Sequence, residues 1–277
     1  MPINSINTND GSFVALQNLA ATNTSLNATQ DRISTGKKIS TAKDNGAIWA
    51  ISQNLRGASQ SINAVKNSLD RAQSTADVAL TAGANISDLL IQMKEKALAA
   101  ADRALDTLSR AALNDDFKVL RDTIKKTVDN SDFNGTNMIR SGGTSLLALA
   151  NVAGTNVITI QAQNFALGGA NLAGILVTSS FRTATVASTL LSSINTAIGR
   201  VNSALATMGA QYKAVALHNT FMSKLQDNLD SGIGNLVDAD LGRESARLQS
   251  LQSRQQLGVQ AASIANQSTS ALLGLFR

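Results

Sequence analysis

Apolar and small residues return in alternating steps of three and four through Ile48, Ile51, Leu55, Ala58, Ile62, Val65, Leu69, Ala72, Ala76, Ala79, Gly83, Ile86, Leu90, Met93, Ala97, Ala100 and Ala104. A 3.5-residue period held for about eight heptads marks a helix that supercoils with partners of similar length. At 1.5 Å per residue the helix spans roughly 85 Å. Its seam rests on Ile48, Ile51, Leu55, Ile62, Val65, Leu69, Ile86, Leu90 and Met93, and the small residues Ala72, Ala76, Ala79 and Gly83 admit a close neighbour. A second stretch repeats the pattern at Leu191, Ile194, Ile198, Val201, Leu205, Met208, Tyr212 and Val215, then slips in register through Phe221, Leu225 and Leu229.

Shorter helices flank these two. One runs from about Asp10 to Ile33, with Leu19, Leu26 and Ile33 seven apart, and Gly36 supplies its left-handed stop. The connector that follows offers Asp44 or Asn45 as a cap for the long helix. Leu113, Phe117, Leu120, Ile124 and Val128 give another amphipathic stretch, closed by the turn formers between Asp129 and Gly135. Glycines then punctuate two β-prone runs, Asn156 to Gln161 and Ile175 to Thr178, which predict one or two small hairpins. Gly232-Ile233-Gly234 predicts a break before a last helix from Asp240 to Phe276.

The predicted fold is mainly α: a long antiparallel coiled coil or helical bundle built from the N- and C-terminal halves, with a small β-hairpin insert. Its expected parts are a terminal helical domain (1–33 and 240–277), connectors (34–46 and 230–239), a rod (47–140 and 185–229) and a Gly-rich β insert (141–184). A monomeric bundle satisfies the same spacing.

Composition narrows the function. Aromatics make up 3% of the chain, which suits narrow bundles better than a large-ring core. The single proline, Pro2, precedes every predicted helix. The net charge of +5 is spread thinly, with no basic stripe interleaved with aromatics, so nucleic acid is not an expected partner. No cysteine is present, which removes disulfides and cysteine metal sites. The first ten residues lack the basic region and apolar core of a secretory signal peptide. No apolar run approaches the roughly 20 residues of a membrane span, so the expectation is a chain with no membrane partner, soluble or exported uncleaved.

Candidate chemistry is sparse. The lone His218 sits on a helical stretch without partner ligands. Asp115-Asp116 and Asp238-Ala239-Asp240 fall near predicted helix starts, where capping explains them. Gly169 to Gly174 lacks the Lys-Ser/Thr of a phosphate loop and is expected to be a turn-rich spacer. Neither an enzyme nor a cofactor or metal site is expected.

Several stretches carry a family resemblance. They are Ser5 to Asn9, Arg32 to Gly36, Ile39 to Asp44, Asp132-Phe133-Asn134-Gly135 and Met208 to Gln211. The C-terminal set Asp238, Asp240, Glu244, Gln252, Gln255, Gln256, Gly258, Ala265, Asn266, Gln267, Leu273, Leu275 and Arg277 is the most specific. Together they resemble bacterial flagellin, over about residues 1–140 and 185–277.

The resemblance implies a filament subunit exported through the flagellar type III channel, secreted and assembled outside the cell. It implies a homopolymer, open to sister flagellins, with cap and hook-junction proteins and a cytoplasmic export chaperone as further partners. The terminal helices would form the filament core, packed through Leu19, Leu26, Ile33, Leu248, Gln252, Gln256, Asn266, Gln267, Leu273, Leu275 and Arg277. Side-chain amides both donate and accept, so they suit register between neighbours. Short amphipathic ends such as Leu272 to Phe276 would order when neighbours cover them.

Two departures matter. The motif that a host innate immune receptor reads in the family aligns with Leu90 to Ala97. Glu95 is kept there, Lys94 is conservative, and Gln92 and Lys96 replace Arg and Leu, which is expected to weaken recognition. The family's proline near the C-terminus is Thr269. Some flagellins carry O-linked sugars, and Ser141, Thr144, Thr155, Thr178 and Ser179 of the insert are the candidates here. A cap- or junction-type accessory protein and an exported coiled-coil adhesin are the rival readings. The C-terminal motif argues against the first, and the small insert argues against the second.

Overall fold

With no internal proline to remove a helical donor, helices carry most of the chain. The computed structural model describes residues 8–274. The order is α1 (Asp10–Thr35), α2 (Gly46–Ala100), α3 (Thr107–Asp129), β1 (Asp132–Phe133), β2 (Thr136–Asn137), β3 (Leu146–Leu149), β4 (Val157–Ile160), α4 (Ala184–Val237) and α5 (Leu241–Gly274). Each helix opens on a side-chain oxygen that accepts an orphan N–H: Asn9, Asn45, Asp106, Thr183 and Asp240. The strands form two antiparallel hairpins, β1–β2 and β3–β4, the latter pairing Leu146 with Ile160 and Leu149 with Val157. Packing divides the chain into two compact units, one of Met1–Gly57 with Asn228–Arg277 and the other Ala58–Asp227.

In the unit Ala58–Asp227, α2 buries Ile62, Val65, Leu69, Ala76, Ile86, Leu90 and Met93, while α4 buries Ile194, Val201, Met208 and Val215. Polar rungs flank this seam. Asn63 meets Gln226 (3.1 Å), Asp70 meets Asn219 (2.6 Å), Asp77 meets Tyr212 (3.3 Å) and Ser87 meets Asn202 (3.0 Å). Each step along α2 is matched by an equal step back along α4, so the two helices run antiparallel. The end of α2 is held by the buried Arg110, whose guanidinium donates to the carbonyls of Ala100, Asp102 and Leu105. These bonds satisfy acceptors that a helix C-terminus otherwise leaves open.

The segment from Gln161 to Thr183 has no regular structure, yet Phe165, Leu172, Ile175 and Phe181 on it are fully buried. Phe181 meets Phe117 edge-on at 5.1 Å, and its N–H donates to the buried Asn114 at 2.7 Å. Phe165 and Leu205 converge on Gly83, where an added Cβ would lie 3.0 Å from one and 2.5 Å from the other.

The second unit pairs α1 with α5. Beyond the pair, the two connectors are zipped together. Lys38 N–H donates to Val237 O at 2.8 Å and Ala239 N–H to Gly36 O at 2.9 Å. Beside that zip Ile39, Ile233 and Val237 form a small core, covered by Ile48, Trp49, Leu55 and Leu236.

The structure corrects several expectations. Gly232 and Gly234 do not break α4, which runs to Val237; Ile233 between them is buried against Ile39 and Val237, and that contact offsets two glycines of about 1 kcal/mol each. Ile51 is half-exposed, and the inward positions nearby are Ser52 and Ser59. Ser52 buries at low cost because its hydroxyl donates to Trp49 O at 2.8 Å. Ala104 lies past the end of α2, in the loop closed by Arg110. On α4 the buried line is Leu190, Ala197, Ala204 and Met222, one residue away from Leu191, Ile198, Leu205 and Phe221. Asp115 and Asp116 sit well inside α3, whose cap is Asp106. Ile175 to Thr178 is not a strand, and the expected spacer around Leu172 belongs to the core.

Candidate assembly surface

The terminal pair is joined by polar bonds along its length. The Asn9 side chain caps α1 through Ser12 N–H (3.0 Å) while its Nδ2 donates to Ala265 O (2.7 Å). Ser12 Oγ donates to Asn266 Oδ1 (2.8 Å), and Gln255 Nε2 donates to Asn23 Oδ1 (2.7 Å). Arg32 pairs with Glu244 at 3.4 Å, and the other oxygen of Glu244 is buried with no hydrogen-bond partner among the described residues. Small residues let the backbones close. A Cβ on Gly258 would come within 3.2 Å of Leu19 Cδ1.

Apolar burial between the two helices is thin: Leu26 and Leu251 are buried, with Leu19, Ile33 and Leu248 half-buried. Larger apolar side chains point out instead. Phe13 is 63% exposed and Ile264 68%, and Val14, Leu16, Leu257 and Val259 are also exposed. Gln252, Gln256 and Gln267 are exposed beside them. The side chain of Leu273, and the residues Leu275 and Arg277, lie outside the described residues, as do those of the Thr269 region. Contiguous exposed apolar area on a monomer marks interaction surfaces in general, and these side chains are the exposed apolar groups that the terminal pair offers. The pairing of Asn23 with Gln255 had no signal in the sequence, where each is one amide among many.

The remaining candidates fall elsewhere. Gln92, Lys94 and Glu95 are exposed on α2, while Lys96 is committed to Asp116 at 3.0 Å. That hydrogen bond and the Asp116 charge raise the Lys96 pKa. Ser141, Thr144, Thr155 and Thr178 are exposed, but the Thr155 hydroxyl accepts from Asn151 Nδ2, and the Ser179 hydroxyl accepts from Leu176 N–H. The Nε2–H of His218 donates to Ala150 O at 2.7 Å, which sets its tautomer. Trp49 packs on the Ile39 core. Two carboxylates are held below their ordinary pKa: Asp44, by the N–H groups of Thr41 and Ser40, and Asp106, by the hydroxyl and N–H of Ser109. The Asp77 carboxylate, with some desolvation, raises the Tyr212 phenol. Among the described residues no cluster of three or more His, Cys, Asp or Glu could hold a metal, and no helix is long and apolar enough to cross a membrane.

The family model described as the bacterial flagellin N-terminal helical region matches residues 6–144, and that described as the bacterial flagellin C-terminal helical region matches residues 191–276. Flagellin FljO of Caulobacter vibrioides is 54% identical over 277 residues, all of both chains, and flagellin FljK of the same organism is 53% identical with the same coverage. Among solved structures, the fold is similar to that of a Bacillus cereus flagellin (TM-score 0.51, 21% identity, 56% of this chain and 88% of that one). It is also similar to a putative flagellar hook-associated protein from Vibrio parahaemolyticus (TM-score 0.58, 16% identity, 70% of this chain and 100% of that one). At these identities the two structures speak for the fold alone.

Proposed function

The chain belongs to the bacterial flagellin family and is a structural subunit of the flagellar filament, and we propose that the outward apolar faces of α1 and α5 are what neighbouring subunits cover. It serves motility by assembly rather than catalysis. The observation that carries the reading is the exposure of Phe13, Leu16, Leu257 and Ile264 on a pair already bonded internally. Covering each of them contributes up to about 1.5–3 kcal/mol before ordering costs. Contacts that propagate an open helix join different patches on successive copies, so the faces of α1 and α5 meet unlike faces on their neighbours. Gln252, Gln256, Asn266 and Gln267 then fix register. Residues 1–33 and 240–277 form the filament core in this reading, and 47–140 with 185–229 form the layer around it.

The family supports the rest of the path. The subunit leaves unfolded through the flagellar type III channel with an export chaperone, and folds under a cap protein beyond the hook junction. Several flagellins of Caulobacter vibrioides are similar to this chain, and this reading leaves it open to co-assembly with sister flagellins. With Gln92 in place of the family's Arg and Lys96 tied to Asp116, the immune-receptor motif is weakened, and strong reporter-cell activation by purified monomer would refute this.

The deciding experiment follows seeded polymerisation of the purified chain by electron microscopy beside a variant lacking residues 263–277. Long filaments from the intact chain alone are expected. An intact chain that stays monomeric with seeds and salt, or a truncated chain that polymerises equally well, overturns the assignment.

A further inference from the structure

The sequence carries Asn-Gly twice, at Asn45-Gly46 and Asn134-Gly135. With no Cβ on the second residue, its main-chain nitrogen reaches the side-chain carbonyl carbon of the asparagine with least obstruction. The structure puts the two pairs in opposite settings. At Asn45 the side-chain oxygen accepts from Ile48 N–H at 3.1 Å, the main-chain carbonyl accepts from Trp49 N–H at 3.0 Å, and Gly46 opens a 55-residue helix. Asn134 is exposed at the tip of β1–β2, in the left-handed region with φ 51°, and its side chain bonds to no described residue. Gly135 follows with φ 75° and open space where a Cβ would be. Only two residue pairs hold this turn, Asp132 with Asn137 and Phe133 with Thr136.

Asn134 also lines a cleft of about 120 Å³ with Arg71 of α2, whose guanidinium has no ion-pair partner among the described residues. We propose that Asn134 is a site of deamidation in the folded chain, and that Arg71 assists the reaction and then binds the carboxylate it creates. The Gly135 nitrogen gives its proton to solvent base and attacks Asn134 Cγ. The new C–N bond closes a succinimide, the C–NH2 bond breaks, and ammonia leaves with a solvent proton. Water opens the ring at either carbonyl, giving aspartate or its isoaspartyl isomer, with no change in oxidation state.

Attack requires Asn134 to rotate out of the turn, so the two-pair ladder must open, and short exposed ladders open at low cost. Arg71 stabilises the anion that develops on the way, and afterwards faces a carboxylate where a neutral amide stood. The isoaspartyl product adds one backbone carbon beside the Phe133–Thr136 pair. That lengthening adjoins Asn137, which is buried and tied to Val128 O and to the N–H groups of Ile139 and Arg140.

The test is peptide mapping by mass spectrometry of the folded full chain held at mildly alkaline pH, beside the chain in denaturant. Folded protein is expected to convert at Asn134 at least about tenfold faster than at Asn45, because a held conformation must first unfold to react. In denaturant the two sites should convert at similar rates. Arg71→Gln, at an exposed position, is expected to slow Asn134 about threefold, the effect of one nearby charge in a high-dielectric setting, and to leave Asn45 unchanged. Asn134→Asp should melt at a higher temperature than Asn134→Asp combined with Arg71→Gln. Equal rates at the two sites in folded protein, or no conversion at Asn134 after the denatured chain has reacted, overturn the site. An Arg71→Gln chain that converts at the original rate and shows no melting difference overturns the part given to Arg71.

Discussion

Between Ala58 and Asp227 the helices meet through apolar side chains and carry polar rungs on their flanks, while in the terminal pair the polar bonds lie inside and the apolar side chains point outward. The first arrangement gives that unit a continuous buried core of its own, although Leu108, Leu147 and Leu217 on it are exposed as well. Phe117, Phe165, Phe181 and Met93 have nothing left to bury. The second leaves Phe13, Leu257 and Ile264 facing out and buries little apolar area between α1 and α5, so under the proposed assembly further stabilisation would come from other copies. One chain thus holds a unit with a continuous buried core and a helix pair that buries little between its members. The difference lies in how much core each has rather than in how much apolar surface each exposes.

The comparison breaks most visibly at Phe165. Phe165→Ala empties a fully buried site against Gly83, and is expected to lower stability of the Ala58–Asp227 unit by about 3–5 kcal/mol. Thermal unfolding followed by circular dichroism measures it, and a loss below about 1 kcal/mol would mean that the irregular segment does not belong to the core. Next comes Ile264→Ser, which should leave the monomer's melting unchanged. It should raise the critical concentration for polymerisation about tenfold or more, since a lost contact of about 1.5 kcal/mol corresponds to that ratio. A melting shift with normal assembly would reverse the roles assigned to the two units.

Gln255→Ala probes the inner side of the terminal pair. Removing its bond to Asn23 should cost about 1 kcal/mol in the monomer, read as earlier loss of helical signal or faster amide exchange in α5. No change in exchange would mean that the pair is held by something other than its polar bonds. The smallest effect is in titration. Tyr212 has its pKa raised above 10.0 by Asp77, so its contribution to stability is complete below that value and is lost as pH climbs through the folded-state pKa. Absorbance titration of this single tyrosine in folded protein should run higher than in denaturant, and Asp77→Asn should remove most of the difference.

The period of the long helices was legible because 3.6 residues per turn is a property of the backbone, and a sequence that repeats every 3.5 must present one stripe. Ile62, Val65, Leu69, Ile86, Leu90 and Met93 follow from that alone, and the side-chain oxygen a helix start needs was legible at Asp240 and at the pair Asp44 and Asn45, of which the structure uses Asn45. Which of two adjacent stripes turns inward was not contained in the period. Ile51 lost to Ser52, and Ile198 to Ala197, because a small side chain lets the partner backbone approach while a large one remains usable on the outside. The fate of residues 161–183 was also decided in three dimensions. Four buried side chains with no period between them become a core segment only where α3, α4 and Gly83 leave a trough for them. Local chemistry therefore determined the helices, some of their caps and the family of this chain. Tertiary structure decided which faces were buried within the chain and which stayed exposed, because burial depends on what stands opposite.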